Sequence, residues 1–146
     1  MKKILVPLDG SDVSLKVAIK ATEVAKSLGC ELTFMTVALN PIPSKIHEYE
    51  QFWDIELNAM LDVIKKIEDQ TLDDVIEKLD LSDIKFDKKS CLGETSVEIL
   101  KEAKEGNYDL IVMGRRGHSN IKRFFLGSIT QKVISDSPCP VLVVNE

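Results

Sequence analysis

Five short apolar runs, at residues 3–8, 31–37, 84–90, 109–113 and 141–144, alternate along the chain with stretches of helical periodicity. This alternation restricts the fold more than any other feature. Strands separated by helix-length crossovers run parallel in one sheet. The run Leu110-Ile111-Val112-Met113 is apolar throughout, as expected of a strand covered on both faces. The expectation is an α/β fold: an open five-stranded parallel sheet with helices on both faces.

The helical stretches carry their own punctuation. A first helix over 12–28 has Ser11 as its N-cap, sets Val17, Ala18, Ala21, Ala25 and Leu28 on one face, and stops at Gly29. A second, over 44–79, repeats apolar residues at Ile46, Tyr49, Trp53, Leu57, Met60, Ile64, Ile67, Thr71, Val75 and Leu79, and its length predicts a bend or break. The third begins with the capping-box pattern Thr95-x-x-Glu98 and runs to Gly106. A fourth covers 129–135. One loop, 38–44, is broken by Asn40-Pro41-Ile42-Pro43 after the second strand and is expected to border any ligand site as a flap.

With 146 residues, 44% of them hydrophobic and 29% charged, the chain reads as a single globular domain over 1–146 that buries roughly two-thirds of its unfolded surface. A net charge of −5 offers no footprint for a nucleic acid backbone. The opening run Ile4-Leu5-Val6-Pro7-Leu8 ends at Asp9, too short for a signal peptide or a membrane span. Cys30, Cys91 and Cys139 make an odd set without metal spacing, which reads as reduced thiols in a cytoplasmic protein.

Chemistry concentrates after the fourth strand, in Met113-Gly114-Arg115-Arg116-Gly117 and then Gly127-Ser128. Gly114 can turn sharply out of the strand. Gly127 immediately precedes a helix, whose first amides and positive dipole end would face the same space, in outline a phosphate site. The spacing Gly-x2-Gly-x9-Gly-Ser resembles the nucleotide signature of the universal stress protein family, in its ATP-binding branch. Asp9-Gly10-Ser11, Gly93-Glu94 and Pro138-Cys139-Pro140-Val141-Leu142-Val143-Val144 also look like that family. The resemblance is weakest over 41–83. It implies a Rossmann-like sheet of order 3-2-1-4-5, with Asp9 and Gly114 meeting in one crevice at the switch point.

Asp9 is a candidate acceptor for ribose hydroxyls or adenine and a candidate Mg or Mn ligand; its bland reading is a turn residue before Gly10. The resemblance implies that Pro7 lines the base pocket and that Val37 contacts nucleotide through its backbone. Arg115 and Arg116 offer forked donors to phosphate, with His118, Lys122 and Arg123 extending the basic cluster; the family pattern favours Arg116, and Arg115 departs from it. Ser128 opens a second capping-box pattern with Gln131, so capping competes with phosphate for its hydroxyl. The resemblance implies that Ser128, with the amides of Ile129 and Thr130, meets the phosphates. Phe124-Phe125-Leu126, Phe52 and Trp53 read as packing or interface residues, and His47 as an ordinary surface histidine.

No Walker lysine pattern and no Gly-x-Gly-x-x-Gly occurs, which disfavours a P-loop ATPase or a dinucleotide dehydrogenase. The expected function is an ATP-binding regulatory switch of the stress-response type, read by a protein partner that the sequence does not name. A slow metal-dependent ATP hydrolase or nucleotidyl transferase is the alternative, and a nucleotide-independent scaffold a third. The apolar run 141–144 is expected at a sheet edge, where a second copy would pair with it as a homodimer.

Overall fold

The computed structural model describes residues 2–41, 50–117 and 125–145, with side chains from residue 56 onwards in the second of these segments. In chain order the elements are β1 (Lys3–Pro7), α1 (Asp12–Leu28), β2 (Glu31–Ala38), α2 (Glu50–Ile76), β3 (Phe86–Leu92), α3 (Thr95–Glu105), β4 (Leu110–Gly114), α4 (Ser128–Asp136) and β5 (Val141–Val144). The strands form one sheet of order β3-β2-β1-β4-β5. Every pairing is parallel, with Leu5 opposite both Thr33 of β2 and Ile111 of β4. The expected architecture and strand order are what the chain adopts.

Alternation along the strands divides the core in two. Ile4, Val6, Leu32, Phe34 and Val112 pack with α1 and with Leu72 and Val75 of α2. Leu5, Met35, Ile111 and Met113 pack on the other face with Ile99 and Ala103 of α3 and Val133 of α4. Within α1 the small residues Ala18, Ala21 and Ala25 are buried, letting the helix lie close to the sheet. Gly29 closes α1 in the left-handed conformation (φ 65), its amide bonded to Ala25 O. Leu28, expected on the buried face, is instead turned outward beside this cap.

Apart from one-residue shifts at the ends of β1, β2, β4 and α4, three elements differ from the sequence reading. β3 pairs two residues later than expected, because Asp83 (φ 64) and the bond from Ile84 N to Leu81 O make 81–84 a turn. Ile84 still packs on the core, so its apolar character reports burial rather than pairing. Over its described length α2 is one uninterrupted helix, consistent with the lack of Gly or Pro between 50 and 76. Its expected first turn, 44–49, lies outside the described residues, and Leu79 reaches the core from a turn beyond its end. Helix α3 is capped by Glu94, one residue before Thr95, with no side-chain cap bond, so the expected capping box is out of register.

Candidate functional site

The carboxyl ends of β1 and β4, at the centre of the sheet where the order of connections reverses, open into a cleft between the first turns of α1, α3 and α4. It is lined by Pro7, Leu8, Met113 and Gly114 at the strand ends, with Val13 and Val17 of α1 from one face of the sheet and Ile99 of α3 from the other. Asp9, Ser14, Thr95, Arg116, Gly117 and Thr130 bring polar groups to the same space. A crevice beyond the strand ends is where open parallel sheets receive ligands.

Two turns shape it. After β1 the chain reverses through Gly10 at φ 76, and a Cβ there would stand 2.9 Å from Thr71 Cγ2 of α2. The amides of Asp9 and Gly10 both donate to Ser14 Oγ at 3.1 Å. Asp9 Oδ1 in turn accepts from Ser14 Oγ and from the Ser11 amide, each at 2.9 Å. The other oxygen, Oδ2, lies where Gly117 passes over it, 2.3 Å from the point a Gly117 Cβ would occupy. Any side chain at 117 would displace the carboxylate, so this glycine is explained by the fold of the site itself.

After β4 the chain is clamped on two sides. The Arg115 amide donates to Val144 O of β5 (3.2 Å), and the Arg115 carbonyl accepts from the Gly127 amide (2.9 Å). Thr130, buried on α4, donates its hydroxyl to Gly114 O at 2.9 Å. These bonds aim the first turn of α4 at the end of β4. A Cβ on Gly114 would meet Arg116 O at 3.2 Å and the Val13 and Val17 side chains at 3.2 and 3.3 Å, so glycine there lets β4 and α1 approach closely.

Helix α4 begins at Ser128 with Gly127 as N-cap and no side-chain cap bond. Gln131 Nε2 reaches back to Leu126 O at 2.8 Å, so the expected capping box does not form. The competition for the Ser128 hydroxyl therefore falls away. The first amides of a helix lack intrahelical partners, and among the described residues none accepts from the amides of Ser128, Ile129 or Thr130.

Of the residues singled out from the sequence, Pro7, Asp9, Gly114, Arg116, Gly117, Ile129 and Thr130 line the cleft together. Gly127 stands next to it, its Cβ position 3.5 Å from Arg115 O and Arg116 Cα, and Ser128 is exposed beside it. Val37 is separate from these: its side chain packs in the core under α3, and it pairs with Cys91 of β3. Arg115 contributes its backbone to the clamp, while Arg116 is the arginine that lines the cleft. His118, Lys122, Arg123, Phe124, His47 and the flap residues 42–44 lie outside the described residues, as do the side chains of Phe52 and Trp53. Sequence reasoning missed Ser14 and Thr95. For Ser14 there was a signal, since a serine in the first turn of a helix commonly bonds backwards to the chain before it.

A model of the universal stress protein family matches residues 1–145. The chain belongs to the universal stress protein family. Universal stress protein YxiE of Bacillus subtilis is 34% identical over 149 aligned residues, covering 98% of each chain. The solved structure of the Methanocaldococcus jannaschii universal stress protein MJ0577 superposes with a TM-score of 0.77 at 29% identity, over 99% of this chain and 96% of that one. A more distant universal stress protein, from Archaeoglobus fulgidus and solved in complex with dAMP, shares the fold at a TM-score of 0.61 and 20% identity, over 98% and 97% of the two chains. Among the described residues of this universal stress protein, no helix is long and apolar enough to cross a membrane.

Proposed function

We propose that this universal stress protein binds ATP in the cleft between β1 and β4 and acts as a nucleotide-dependent switch, belonging to the ATP-binding branch of its family. The observation that carries this reading is Gly127. Its φ of −62 suits any residue, and among the described residues a Cβ there would meet nothing closer than 3.5 Å. The described part of the fold therefore makes no demand for glycine at 127. Close approach of a phosphate chain to the amides of Ser128, Ile129 and Thr130 does, and the positive end of α4 favours the anion. Arg116 adds a cation on the same side, and Asp9 supplies an acceptor for a sugar hydroxyl or the base, with Pro7 at the base side. Val37, at the end of β2, takes part only through its backbone. The A. fulgidus relative, whose bound dAMP is an adenine mononucleotide, supports the ligand class.

Mg or Mn fits the donor set in a limited way. Asp9, whose Oδ1 accepts from Ser14 and Ser11, is the carboxylate of the cleft that would hold the ion beside the phosphates. Magnesium is commonly held by one or two carboxylates together with substrate phosphates. Such an ion would supply charge neutralisation.

A switch requires a surface that differs in partner affinity with and without ligand. The free edge of β5 suits this role, because the Arg115 peptide bonds Val144 on one side and the Gly127 cap of α4 on the other. We assign it to a homodimer contact that an unidentified protein partner reads. Replacing Val143 with Lys is expected to shift the mass measured by light scattering towards the monomer. An unchanged mass would remove β5 from the interface.

The ligand is tested by denaturing freshly purified protein, identifying released nucleotide by mass spectrometry, and following ATP with Mg over hours. Intact ATP, bound and unhydrolysed, is the expected result. ADP accumulating with steady turnover would replace the switch by the slow hydrolase, and no bound or bindable nucleotide would leave a scaffold.

A further inference from the structure

We propose that Ser14 is the positioning residue of the nucleotide site, fixing the Asp9 carboxylate that meets the ligand; this rests on the cleft being the nucleotide site. A serine hydroxyl has one proton to give and two lone pairs to receive with. All three are used here. The amides of Asp9 and Gly10 occupy the lone pairs at 3.1 Å each, and the proton goes to Asp9 Oδ1 at 2.9 Å. Two successive amides converge on one oxygen because Gly10 sits at φ 76, a conformation that favours glycine. Saturation of the lone pairs leaves the Ser14 proton no direction other than Oδ1.

The same carboxylate oxygen accepts from the Ser11 amide at 2.9 Å, so Ser14 and Ser11 both bear on the plane of the carboxyl group. Rotation of that plane is what would spoil the site, since Oδ2 lies directly beneath Gly117. Ser14 is only 3% exposed, its hydroxyl fully engaged by its own chain, and does its work through Asp9. Water does not readily replace a hydroxyl buried to that degree, so its removal leaves two amides and one carboxylate oxygen to find new partners.

A double-mutant cycle separates positioning from mere support of the fold. ATP affinity is measured by calorimetry, and folding by thermal melting, for wild type, Ser14→Ala, Asp9→Ala and the double variant. Ser14→Ala is expected to weaken ATP about tenfold, or 1.4 kcal/mol, and Asp9→Ala by at least as much. The double variant should bind like Asp9→Ala alone, because Ser14 has nothing left to orient. Ser14→Cys, which keeps a weak donor and acceptor at the same place, should recover part of the loss and carries the cycle if the alanine variant does not fold. Additive losses, or a folded Ser14→Ala with wild-type affinity, would overturn the proposal while leaving the nucleotide site standing. Wild-type protein that binds no nucleotide would overturn the site and the proposal together.

Discussion

At the amino ends of the strands the polar groups answer one another, whereas at the carboxyl ends the amides that open α4 have no partner among the described residues. Asp109 accepts from the amides of Lys2 and Lys3 at 2.7 and 2.9 Å, and these two bonds hold its carboxyl below the usual range. Lys3 Nζ reaches Gly106 O at 3.1 Å and lies 4.8 Å over the Tyr108 ring, whose hydroxyl donates to Glu102 and is pushed up to about 12, chiefly by burial. Gly106 is there because a Cβ would stand 2.2 Å from that ring. At the other end the amides opening α4 have no partner among the described residues, and Gly127 has room for a side chain that it lacks. One end is finished by the fold, and on the proposed reading the other is completed by a ligand. The glycines carry this contrast most directly, since a Cβ would be crowded by the chain itself at 106, 114 and 117, whereas at 127 it meets no described atom closer than 3.5 Å.

The contrast can be broken from either side. Gly106→Ala presses a methyl group on the Tyr108 ring and on Glu102 O, 3.0 Å away, and overpacking of that kind costs about 2 kcal/mol. Denaturant unfolding should show that loss while ATP affinity in the folded protein stays at the wild-type value; a fall in affinity would mean that the two ends are not independent. Thr130→Val removes the donor to Gly114 O and should cost about 1 kcal/mol of stability. Because this bond also aims α4, affinity should drop on the order of fivefold, so an unaffected titration would show that the clamp does not position the amides.

The smallest effect belongs to Asp109→Asn. The folded carboxyl titrates below its ordinary value of 3.8, so its contribution is fully present above that pH and is lost as pH falls through the lower folded value. The variant should lower the melting temperature slightly at neutral pH and flatten its decline below pH 3.8. An identical acid limb would place the acid sensitivity with other carboxylates, such as Asp136, which is also held low by Lys132.

How much of this was legible in the sequence follows from how local each signal is. Strand order came from a family pattern and the strand type from alternation, and both survive because burial on two faces leaves a strong apolar mark on β1, β2 and β4. The edge strand β3 has four exposed residues at its start, so its beginning was blurred by Ile84, which is half-buried against the core without being paired. The glycines after β4 were visible as spacing. Their separate reasons were not, since Gly117 answers to Asp9, more than a hundred residues away in sequence, and no pattern along the chain expresses that contact. The capping boxes at Thr95 and Ser128 were legible and misleading, because Glu94 and Gly127 take the cap positions one residue earlier. Ser14 was hidden by its ordinariness as one serine in a helix.

The account stands most directly on Gly127. Calorimetric titration of ATP with Mg into stripped wild-type protein and into Gly127→Val, each checked by thermal melting, asks whether the first turn of α4 receives a ligand. A Cβ at 127 meets only ordinary contacts, so the fold should lose no more than the roughly 1 kcal/mol expected for a poorer N-cap, while ATP binding falls by at least about a hundredfold. Wild-type affinity in a folded Gly127→Val protein would contradict the account.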